Sequence, residues 1–278
     1  MSYTFARQGW KKEGGFDLEG MCRLAKELNI DGADMVTTYG LTPPEIKRVL
    51  SDYGITPVCY TIIGAALNFA TAAERAAGVD QVRAGIDIAA EIGAPLIMVH
   101  TQNRNGVPRD VARGQFIHGL QESAGLARAA GIAMSIENIP GADSPFAVSS
   151  DMLEAVREVP GLKLTYDSGN VLLGGEEPAA SFIRCAAHVV HAHFKDRILT
   201  EPGQGLEGLD GRYYESALIG EGIVPHRACL AAMKQAGYQG YINIEYEHNK
   251  YPPDEATRRA ANYLQNIMNE LDNAKKIS

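Results

Sequence analysis

Short β-type runs alternate with helical patterns from one end of this 278-residue sequence to the other. Eight such pairs are predicted, and no linker or low-complexity segment separates them. Each parallel strand must be reached through a right-handed helical crossover, and eight successive units of this kind are typical of a (β/α)8 barrel. The alternative, a doubly wound open sheet, lacks support because the first β/α turn has no GxGxxG. We therefore predict an α/β fold, a single TIM-barrel domain over residues 1–278.

The predicted strands are short, apolar and bounded by helix-start and helix-stop signals. Thr42-Pro43-Pro44-Glu45, for example, combines a capping box with proline in the first helical turn. In chain order, the strands are predicted at residues 3–5, 33–36, 57–62, 95–100, 132–138, 162–167, 189–196 and 241–247. Residues 197–222 then form a long Gly-rich connection after the seventh strand. Connections of that length within a compact domain are usually lids or binding loops, so we expect this segment to cover the mouth of the barrel as a lid.

The composition limits the partners and compartments to be considered. With 34 acidic and 26 basic side chains, the net charge is -8, whereas binding to nucleic-acid phosphates needs a basic face. The four cysteines are scattered without a CxxC pair, which is typical of a reducing cytoplasm. The first residues lack the apolar core of a signal peptide, and no apolar run is long enough to span a bilayer. We expect a soluble cytoplasmic protein with neither a nucleic-acid nor a membrane partner.

Polar side chains collect where four of the predicted strands end. The fifth strand ends at Glu137, the sixth at Asp167 and the eighth at Glu245, while His193 lies near the end of the seventh. In a TIM barrel these carboxyl ends form one rim, and active sites lie there. A single strand-end carboxylate is more often a helix cap or part of a loop salt bridge. It is therefore the combination of four residues that favours a functional site.

Three carboxylates on one rim would repel one another unless a cation lay between them. One neutral imidazole and three carboxylates form an oxygen-rich ligand set that suits Mn²⁺, Mg²⁺ or Co²⁺, and Zn²⁺ is also compatible with it. We therefore predict one divalent metal ion, bound by Glu137, Asp167, His193 and Glu245.

Five stretches of the sequence resemble the xylose isomerase-like TIM-barrel family of sugar and sugar phosphate isomerases and epimerases, which includes the D-tagatose 3-epimerase-like proteins. They are Ser135-Ile136-Glu137-Asn138, Asp167-Ser168-Gly169-Asn170, His191-Ala192-His193-Phe194-Lys195-Asp196, Ile219-Gly220-Glu221-Gly222 and Gly240-Tyr241-Ile242-Asn243-Ile244-Glu245. In that family the residues that match the four predicted ligands hold one divalent metal ion, often Mn²⁺. The two matching glutamates flank the substrate carbon as acid and base. The resemblance therefore implies that Glu137 and Glu245 are catalytic and that Mn²⁺ is the preferred metal.

The chemistry expected of such a site is proton transfer next to a carbonyl group. A divalent metal polarises the carbonyl and the neighbouring hydroxyl of a ketose and stabilises the enediolate formed on deprotonation. Reprotonation on the other face gives an epimer, and reprotonation at the neighbouring carbon gives an aldose–ketose isomer. We predict a metal-dependent isomerase or epimerase of a sugar or sugar derivative. The alternative is a lyase or dehydratase that acts on a keto sugar or cyclic polyol, because loss of a β-substituent starts from the same enediolate.

Three further residues are predicted to contact the substrate: His100, Asn170 and Lys195. Many members of the family carry a histidine at the position of Asn170, where it often contacts the substrate. Lys195 either binds a substrate oxygen or pairs with Asp196 or Glu247. His100 either contacts the substrate or is hydrogen-bonded within its loop.

The sequence also bears on the charge of the substrate. Leu199 stands where some of the family's epimerases have an arginine, and no P-loop is present. Glu221 occupies the Gly220-Glu221-Gly222 turn, which is unfavourable for an anion at that place. We therefore expect an uncharged small-molecule carbohydrate rather than a sugar phosphate. A homo-oligomer is also expected, since barrels of this family commonly pair.

Two other classes of protein are compatible with this fold. A nuclease that acts at apurinic sites needs more histidines for its three zinc ions than this sequence offers, one of them at the position of Asn170. The other class is a catalytically silent barrel that binds a sugar or serves regulation. The intact set of predicted ligands argues against it, and loss of tight metal binding would favour it. Among the remaining polar residues, we expect His191 to be a hydrogen-bonded core residue, Glu247 to support Glu245, and His226 to lie on the surface.

Overall fold

The structure is a computed structural model that describes residues 1–9, 11–12 and 15–274. Its first half contains α1 (Ser2–Ala6), β1 (Lys11–Lys12), β2 (Gly15–Phe16), α2 (Leu18–Glu27), β3 (Gly32–Val36), α3 (Pro43–Asp52), β4 (Thr56–Ile62), α4 (Ala72–Ile92), β5 (Leu96–Val99) and α5 (Arg109–Ala129). Its second half contains β6 (Ala133–Glu137), α6 (Ser149–Glu158), β7 (Lys163–Asp167), α7 (Asn170–Leu173), α8 (Pro178–Cys185), β8 (Val189–Phe194), β9 (Asp196–Thr200), β10 (Leu206–Glu207), β11 (Tyr213–Ala217), α9 (His226–Gln235), β12 (Ile242–Ile244) and α10 (Pro253–Ala274).

Within the described residues, seven parallel strands form one sheet in the order β12-β8-β7-β6-β5-β4-β3. Their inner and outer faces are both buried, as expected for parallel strands that are covered by helices. The register places Glu137 beside Thr165 and Asp167 beside His193. The carboxyl ends of neighbouring strands therefore meet at one edge, which we call the rim. The prediction of a single-domain α/β TIM barrel is confirmed.

The first predicted strand, at residues 3–5, is wrong, because these residues belong to the helix α1. This helix lies between β3 and β12, the two outermost strands of the sheet. The Ser2 hydroxyl accepts a hydrogen bond from the backbone N–H of Val36 at 2.8 Å, and the Thr4 hydroxyl accepts one from Tyr246 N–H at 3.0 Å. Two side chains of this short helix thus accept from backbone N–H groups on the two sides of the sheet. The prediction failed because a three-residue pattern is too short to distinguish the period of a strand from that of a helix.

Side-chain caps define the starts of α2 and α3. The Asp17 side chain accepts a hydrogen bond from Gly20 N–H at the start of α2. Thr42 and Glu45 form the predicted capping box of α3, with proline in its first turn. Such caps satisfy backbone donors that the helix itself leaves free. They fix where each helix begins, and so where the preceding strand's rim loop ends.

Residues 197–222, predicted as a loop, contain most of a small antiparallel sheet. Its strand order is β10-β11-β9, and Arg197 pairs with Ser216 across β9 and β11. The glycines that predicted a loop lie mainly in the turns, whereas the strands pair through backbone groups that no sequence pattern specifies. The function of this segment as a lid stays a prediction.

The four cysteines are all free and buried, at Cys22, Cys59, Cys185 and Cys229. Among the described helices, none combines the length and the apolar character that a bilayer crossing requires.

Candidate metal centre

The structure brings the four predicted ligands together at the rim. Glu137 ends β6, Asp167 ends β7, His193 is the penultimate residue of β8, and Glu245 follows β12 directly. One nitrogen or oxygen atom from each of the four side chains lies within 4.8 Å of the others. All four residues are buried. They could therefore hold a metal ion, although the geometry alone does not assign their functions.

The closest pair in this cluster is His193 and Glu137. Nδ1 of His193 lies 2.6 Å from Oε1 of Glu137 and 3.5 Å from Oε2 of Glu245. Asp167 is held from one side only, because its Oδ1 accepts the backbone N–H groups of Gly169 at 2.9 Å and Asn170 at 2.6 Å. These bonds orient the carboxylate and leave its second oxygen directed into the cluster.

Two buried oxygen atoms test whether the cluster suits a cation. Among the described residues, neither Oδ2 of Asp167 nor Oε2 of Glu245 has a hydrogen-bond donor. Each oxygen has only a distant cation, since Nζ of Lys195 is 3.5 Å from Oδ2 of Asp167 and Nδ1 of His193 is 3.5 Å from Oε2 of Glu245. The hydration that these buried oxygens lose is therefore only partly offset. A hard divalent cation prefers such oxygen ligands, and it would satisfy both atoms at once. The donor set present here therefore fits a metal ion.

The electrostatics of the cluster lead to the same view. Burial raises the pKa of Glu245 to about 8 and that of Asp167 to about 6. Burial would also raise the pKa of Glu137, but the cations of His193 and Lys195 outweigh it and lower that pKa to about 2. Without a divalent cation, part of the cluster thus holds its protons near neutral pH. Metal binding would compete with those protons.

Lys195 lies inside this acidic cluster. Its Nζ is 3.1 Å from Oε1 of Glu245, 3.2 Å from Oε1 of Glu247 and 3.5 Å from Oδ2 of Asp167. Of the two sequence-predicted pairing partners, Glu247 is thus in contact with the ammonium group. Asp196 instead accepts the backbone N–H groups of Gly220 and Gly222. Lys195 also lines the cleft above the cluster, where its ammonium can reach a bound molecule.

This cleft has a volume of about 1300 Å³, part of which is open to solvent. Charged, neutral polar and apolar side chains all contribute to its lining. Floor and walls include Thr61, Ile63, Met98, His100, Gln102, Asn103, Glu137, Ile139, Asn170, His193, Lys195, Leu206, Glu245 and Glu247. Mixed walls around a few convergent polar groups are typical of small-molecule sites.

The other two predicted substrate contacts, His100 and Asn170, also line the cleft. Nδ1 of His100 is buried and has no hydrogen-bond partner within the described part of the chain. Burial lowers the pKa of His100, so the ring is neutral and its free nitrogen is available to a substrate hydroxyl. The Asn170 amide is already engaged, because its Nδ2 donates to Asn138 O at 3.1 Å and its Oδ1 accepts from Arg197 Nη2 at 2.8 Å.

Sequence reasoning missed three residues that support the cluster. Asp34 of β3 lies 3.2 Å from Nε2 of His193. The Asn138 side chain joins the ends of β6 and β7, since it donates to Asp167 O at 2.9 Å and accepts from Asp167 N–H at 2.8 Å. Arg197, only 2% exposed, donates to Asn170 and Ser216. Asp34 could have been recognised in the sequence as a charged residue within an otherwise apolar strand. No comparable sequence pattern marks Asn138 or Arg197.

Three expectations about neighbouring residues have different outcomes. His191 is buried and its Nε2 is 2.7 Å from Oδ2 of Asp34, so its hydrogen-bonded core role is confirmed. Glu247 contacts Lys195 and Arg197. The prediction that His226 lies on the surface is wrong, because it is 1% exposed and its Nε2 donates to Lys195 O at 3.0 Å. The face of α9 that carries His226 packs onto the barrel.

The chain is similar in sequence to two curated enzymes. It is 26% identical to an inosose dehydratase of Lacticaseibacillus casei over 160 residues. The matched region covers 54% of this chain and 53% of the relative. It is 29% identical to an L-ribulose-5-phosphate 3-epimerase of Salmonella paratyphi C (strain RKS4594) over 181 residues. The matched region covers 62% of this chain and 57% of the relative. The matches therefore span little more than half the length of these relatives.

Solved structures with low sequence identity share the fold. A crystal structure of the IOLI protein with a bound zinc atom has a TM-score of 0.76 at 14% identity, covering 92% of this chain and 95% of that one. A family model described as a xylose isomerase-like TIM barrel matches residues 22–267. The match extends over nearly the whole barrel and includes the rim residues. The chain belongs to the xylose isomerase-like TIM-barrel family.

Proposed function

We propose that the protein is a divalent-metal-dependent isomerase or epimerase of a sugar or sugar derivative. Glu137, Asp167, His193 and Glu245 hold the metal ion. The observation that carries this proposal is the pair of buried carboxylate oxygens, on Asp167 and Glu245, that lack a donor and lie beside the imidazole of His193. Mn²⁺ is the first candidate, and Mg²⁺, Co²⁺ and Zn²⁺ suit the same ligands. A solved structure with the same fold holds a zinc atom, which favours a divalent metal ion as the cofactor here.

When bound, the metal supplies Lewis acidity that favours an enediolate over the ketose. Glu137 and Glu245 project from different strands of the rim and supply the two proton-transferring carboxylates. One removes the proton next to the carbonyl, and the other returns a proton. Return to the opposite face of the same carbon gives an epimer, whereas return to the neighbouring carbon gives an isomer. Lys195 and His100 contribute donors or acceptors to the sugar hydroxyls, and Asn170 completes the wall of the cleft.

The proposed substrate is a small carbohydrate without a phosphate group. Within the described residues, Lys195 is the only lysine or arginine that lines the cleft, and three carboxylates already surround it. Glu221, in the turn considered for anion binding, pairs with Lys250 and accepts from the Tyr251 hydroxyl. A phosphate would therefore meet net negative charge. We place residues 197–222 over the mouth as a lid, because Leu206 of β10 lines the same cleft.

A second candidate function is a lyase or dehydratase that acts on a keto sugar or cyclic polyol. The similarity to an inosose dehydratase favours it. The same carboxylates would remove the proton next to the carbonyl, and the enediolate would then expel a hydroxyl group from the β-carbon. The two candidates share every step up to the enediolate, so only the product distinguishes them.

The experiment is to incubate the metal-loaded protein in D₂O with free ketoses, keto glycosides and inososes, and to follow the carbohydrate by NMR. An epimerase or isomerase incorporates deuterium beside the carbonyl and forms a new sugar, whereas a dehydratase releases water and forms an unsaturated ketone. Glu137→Gln and Glu245→Gln should abolish both outcomes. Absence of exchange and of product on every substrate, at full metal occupancy, would contradict the proposal and favour a barrel that binds without turnover.

A further inference from the structure

His193 has carboxylates on both sides of its imidazole ring. Nδ1 faces the metal cluster, 2.6 Å from Glu137 and 3.5 Å from Glu245. Nε2 faces away from the cluster and lies 3.2 Å from Oδ2 of Asp34. A neutral imidazole carries one N–H and one lone pair. Which nitrogen keeps the proton therefore decides whether the ring can act as a ligand toward the cluster.

Asp34 is well fixed for a residue that belongs to no predicted site. It is 1% exposed, and its Oδ2 also lies 2.7 Å from Nε2 of His191 and accepts from Nδ2 of Asn243. These three donors come from β8 and β12, whereas Asp34 belongs to β3. Among the described strands, β3 and β12 are the outermost ones and are not paired with each other. Asp34 is thus an ionisable acceptor held across the seam of the barrel.

We infer that Asp34 is a positioning residue for the metal ligand His193. When a metal ion is bound and the ring is neutral, Asp34 would accept the Nε2 proton and leave the Nδ1 lone pair directed at the cluster formed by Glu137, Asp167 and Glu245. A carboxylate that accepts from the outer nitrogen of a histidine fixes both the tautomer and the ring plane, and it increases the basicity of the inner nitrogen. This inference rests on the metal centre in the proposed function, and it gives Asp34 a function beyond closing the seam.

Asp34 also holds β3 to two other strands and so helps to close the barrel. The test must therefore separate this structural function from the proposed positioning of His193. Asp34→Asn preserves the shape of the side chain but replaces the charged acceptor, while Asp34→Glu preserves the carboxylate. Ser2→Ala is the matched control, since it removes the buried hydrogen bond from Val36 N–H at the same seam and leaves the Asp34–His193 pair intact. Folding of each variant is checked by circular dichroism and thermal unfolding.

The first measurement is Zn²⁺ affinity, determined by competition with a chromophoric chelator. We expect Asp34→Asn to bind Zn²⁺ about 10- to 100-fold more weakly than the wild type. Asp34→Glu should recover part of this loss, and Ser2→Ala should retain the wild-type affinity even where its unfolding temperature is lower. Equal affinity in the wild type and a folded Asp34→Asn would overturn the inference while leaving the metal centre in place. If the wild type binds no Zn²⁺, the metal centre itself is wrong and the inference falls with it.

The second measurement needs no variant, so it tests the protonation of His193 even if Asp34→Asn does not fold. Long-range ¹H–¹⁵N NMR of the ¹⁵N-labelled, Zn²⁺-loaded wild type reports which imidazole nitrogen carries hydrogen. We expect His193 with Nε2 protonated and Nδ1 bound to zinc. A spectrum with Nδ1 protonated, or with Nε2 bound to zinc, would overturn the positioning function of Asp34.

Discussion

Nζ of Lys195 lies 3.1 Å from Oε1 of Glu245, a proposed metal ligand. Among the described residues, Lys195 is the only lysine that lines the cleft. The ammonium group is the internal counter-charge of the acidic cluster, since Asp167 and Glu247 also lie within 3.5 Å. A metal ion bound at the proposed site would share these carboxylates with the lysine. A substrate that enters the cleft meets both.

Lys195→Met should retain the metal and lose activity. The substitution removes a cation but no ligand, so about one divalent ion per chain should remain. If Lys195 donates to a substrate oxygen, kcat/KM should fall about 10- to 100-fold, as expected for one charge-assisted hydrogen bond. Lys195→Arg should recover part of the loss. Steady-state kinetics and metal analysis of the same samples check this, and activity within a factor of two of the wild type would show that Lys195 only pairs with Glu247.

The metal-free protein should lose stability relative to Glu245→Gln as the pH rises from 7 to 9. Burial raises the pKa of Glu245 in the folded state to about 8, from an ordinary value of 4.5. The folded state therefore holds a proton that the unfolded state has released, and this stabilisation is lost when the pH passes the folded pKa. One proton changes the free energy of unfolding by at most about 1.4 kcal/mol per pH unit.

Urea unfolding of both proteins in a chelator tests this pH dependence. The variant cannot ionise at that position, so the difference between the two pH profiles removes the contributions of groups that do not interact with Glu245. Saturating Mn²⁺ should reverse the trend for the wild type, since the metal stabilises the ionised carboxylate. Parallel pH profiles of wild type and variant without metal would contradict the assignment of a raised pKa to Glu245.

Asn138→Ala should destabilise the protein by about 3 kcal/mol. Its side chain accepts from Asp167 N–H and donates to Asp167 O, and both hydrogen bonds are buried. Each buried group left without a partner costs about 1–3 kcal/mol. Because the same bonds place Asp167, metal affinity should fall as well. Asn262→Ala, at an exposed position of α10, is the control and should change the free energy of unfolding by less than about 0.5 kcal/mol.

The protein should prefer a free sugar over the corresponding phosphate as its substrate. A phosphate group would enter a cleft lined by Glu137, Glu245 and Glu247, and the one lysine among its described lining residues is already surrounded by carboxylates. We expect kcat/KM for the unphosphorylated substrate to exceed that for its phosphate at least about 100-fold, which corresponds to roughly 3 kcal/mol. Competition between the two forms in one reaction measures this ratio directly. Preference for the phosphate would contradict the proposed substrate class.

The proposed ligands could be predicted from the sequence because each stands out against an apolar strand. Glu137 and Asp167 follow runs of buried residues at the end of a strand, and the barrel topology brings all such ends to one rim. The alternation of strand and helix fixed that topology without any knowledge of contacts. Position along a strand was therefore enough to group residues that are far apart in the chain.

The features of the fold and of the site that sequence reasoning missed depend on contacts that no local sequence pattern encodes. Asp34 and His193 are separated by 159 residues, and nothing near either one indicates the other. Residues 3–5 belong to a helix whose Ser2 and Thr4 hydroxyls accept from distant backbone groups, Val36 N–H at the end of β3 and Tyr246 N–H just after β12. His226 was placed on the surface because a polar residue on a helix usually faces solvent, yet here its ring packs 5.6 Å from Phe194.

The central claim is that Glu137, Asp167, His193 and Glu245 bind one divalent metal ion. Elemental analysis of the purified protein tests it most directly, with His193→Ala and Glu245→Ala beside the exposed control His118→Ala. We predict about one Mn²⁺, Mg²⁺, Co²⁺ or Zn²⁺ per chain in the wild type and the control, and much less in the two site variants. No bound divalent metal in the wild type, even after reconstitution, would contradict the account, and about three zinc ions per chain would point to a nuclease instead.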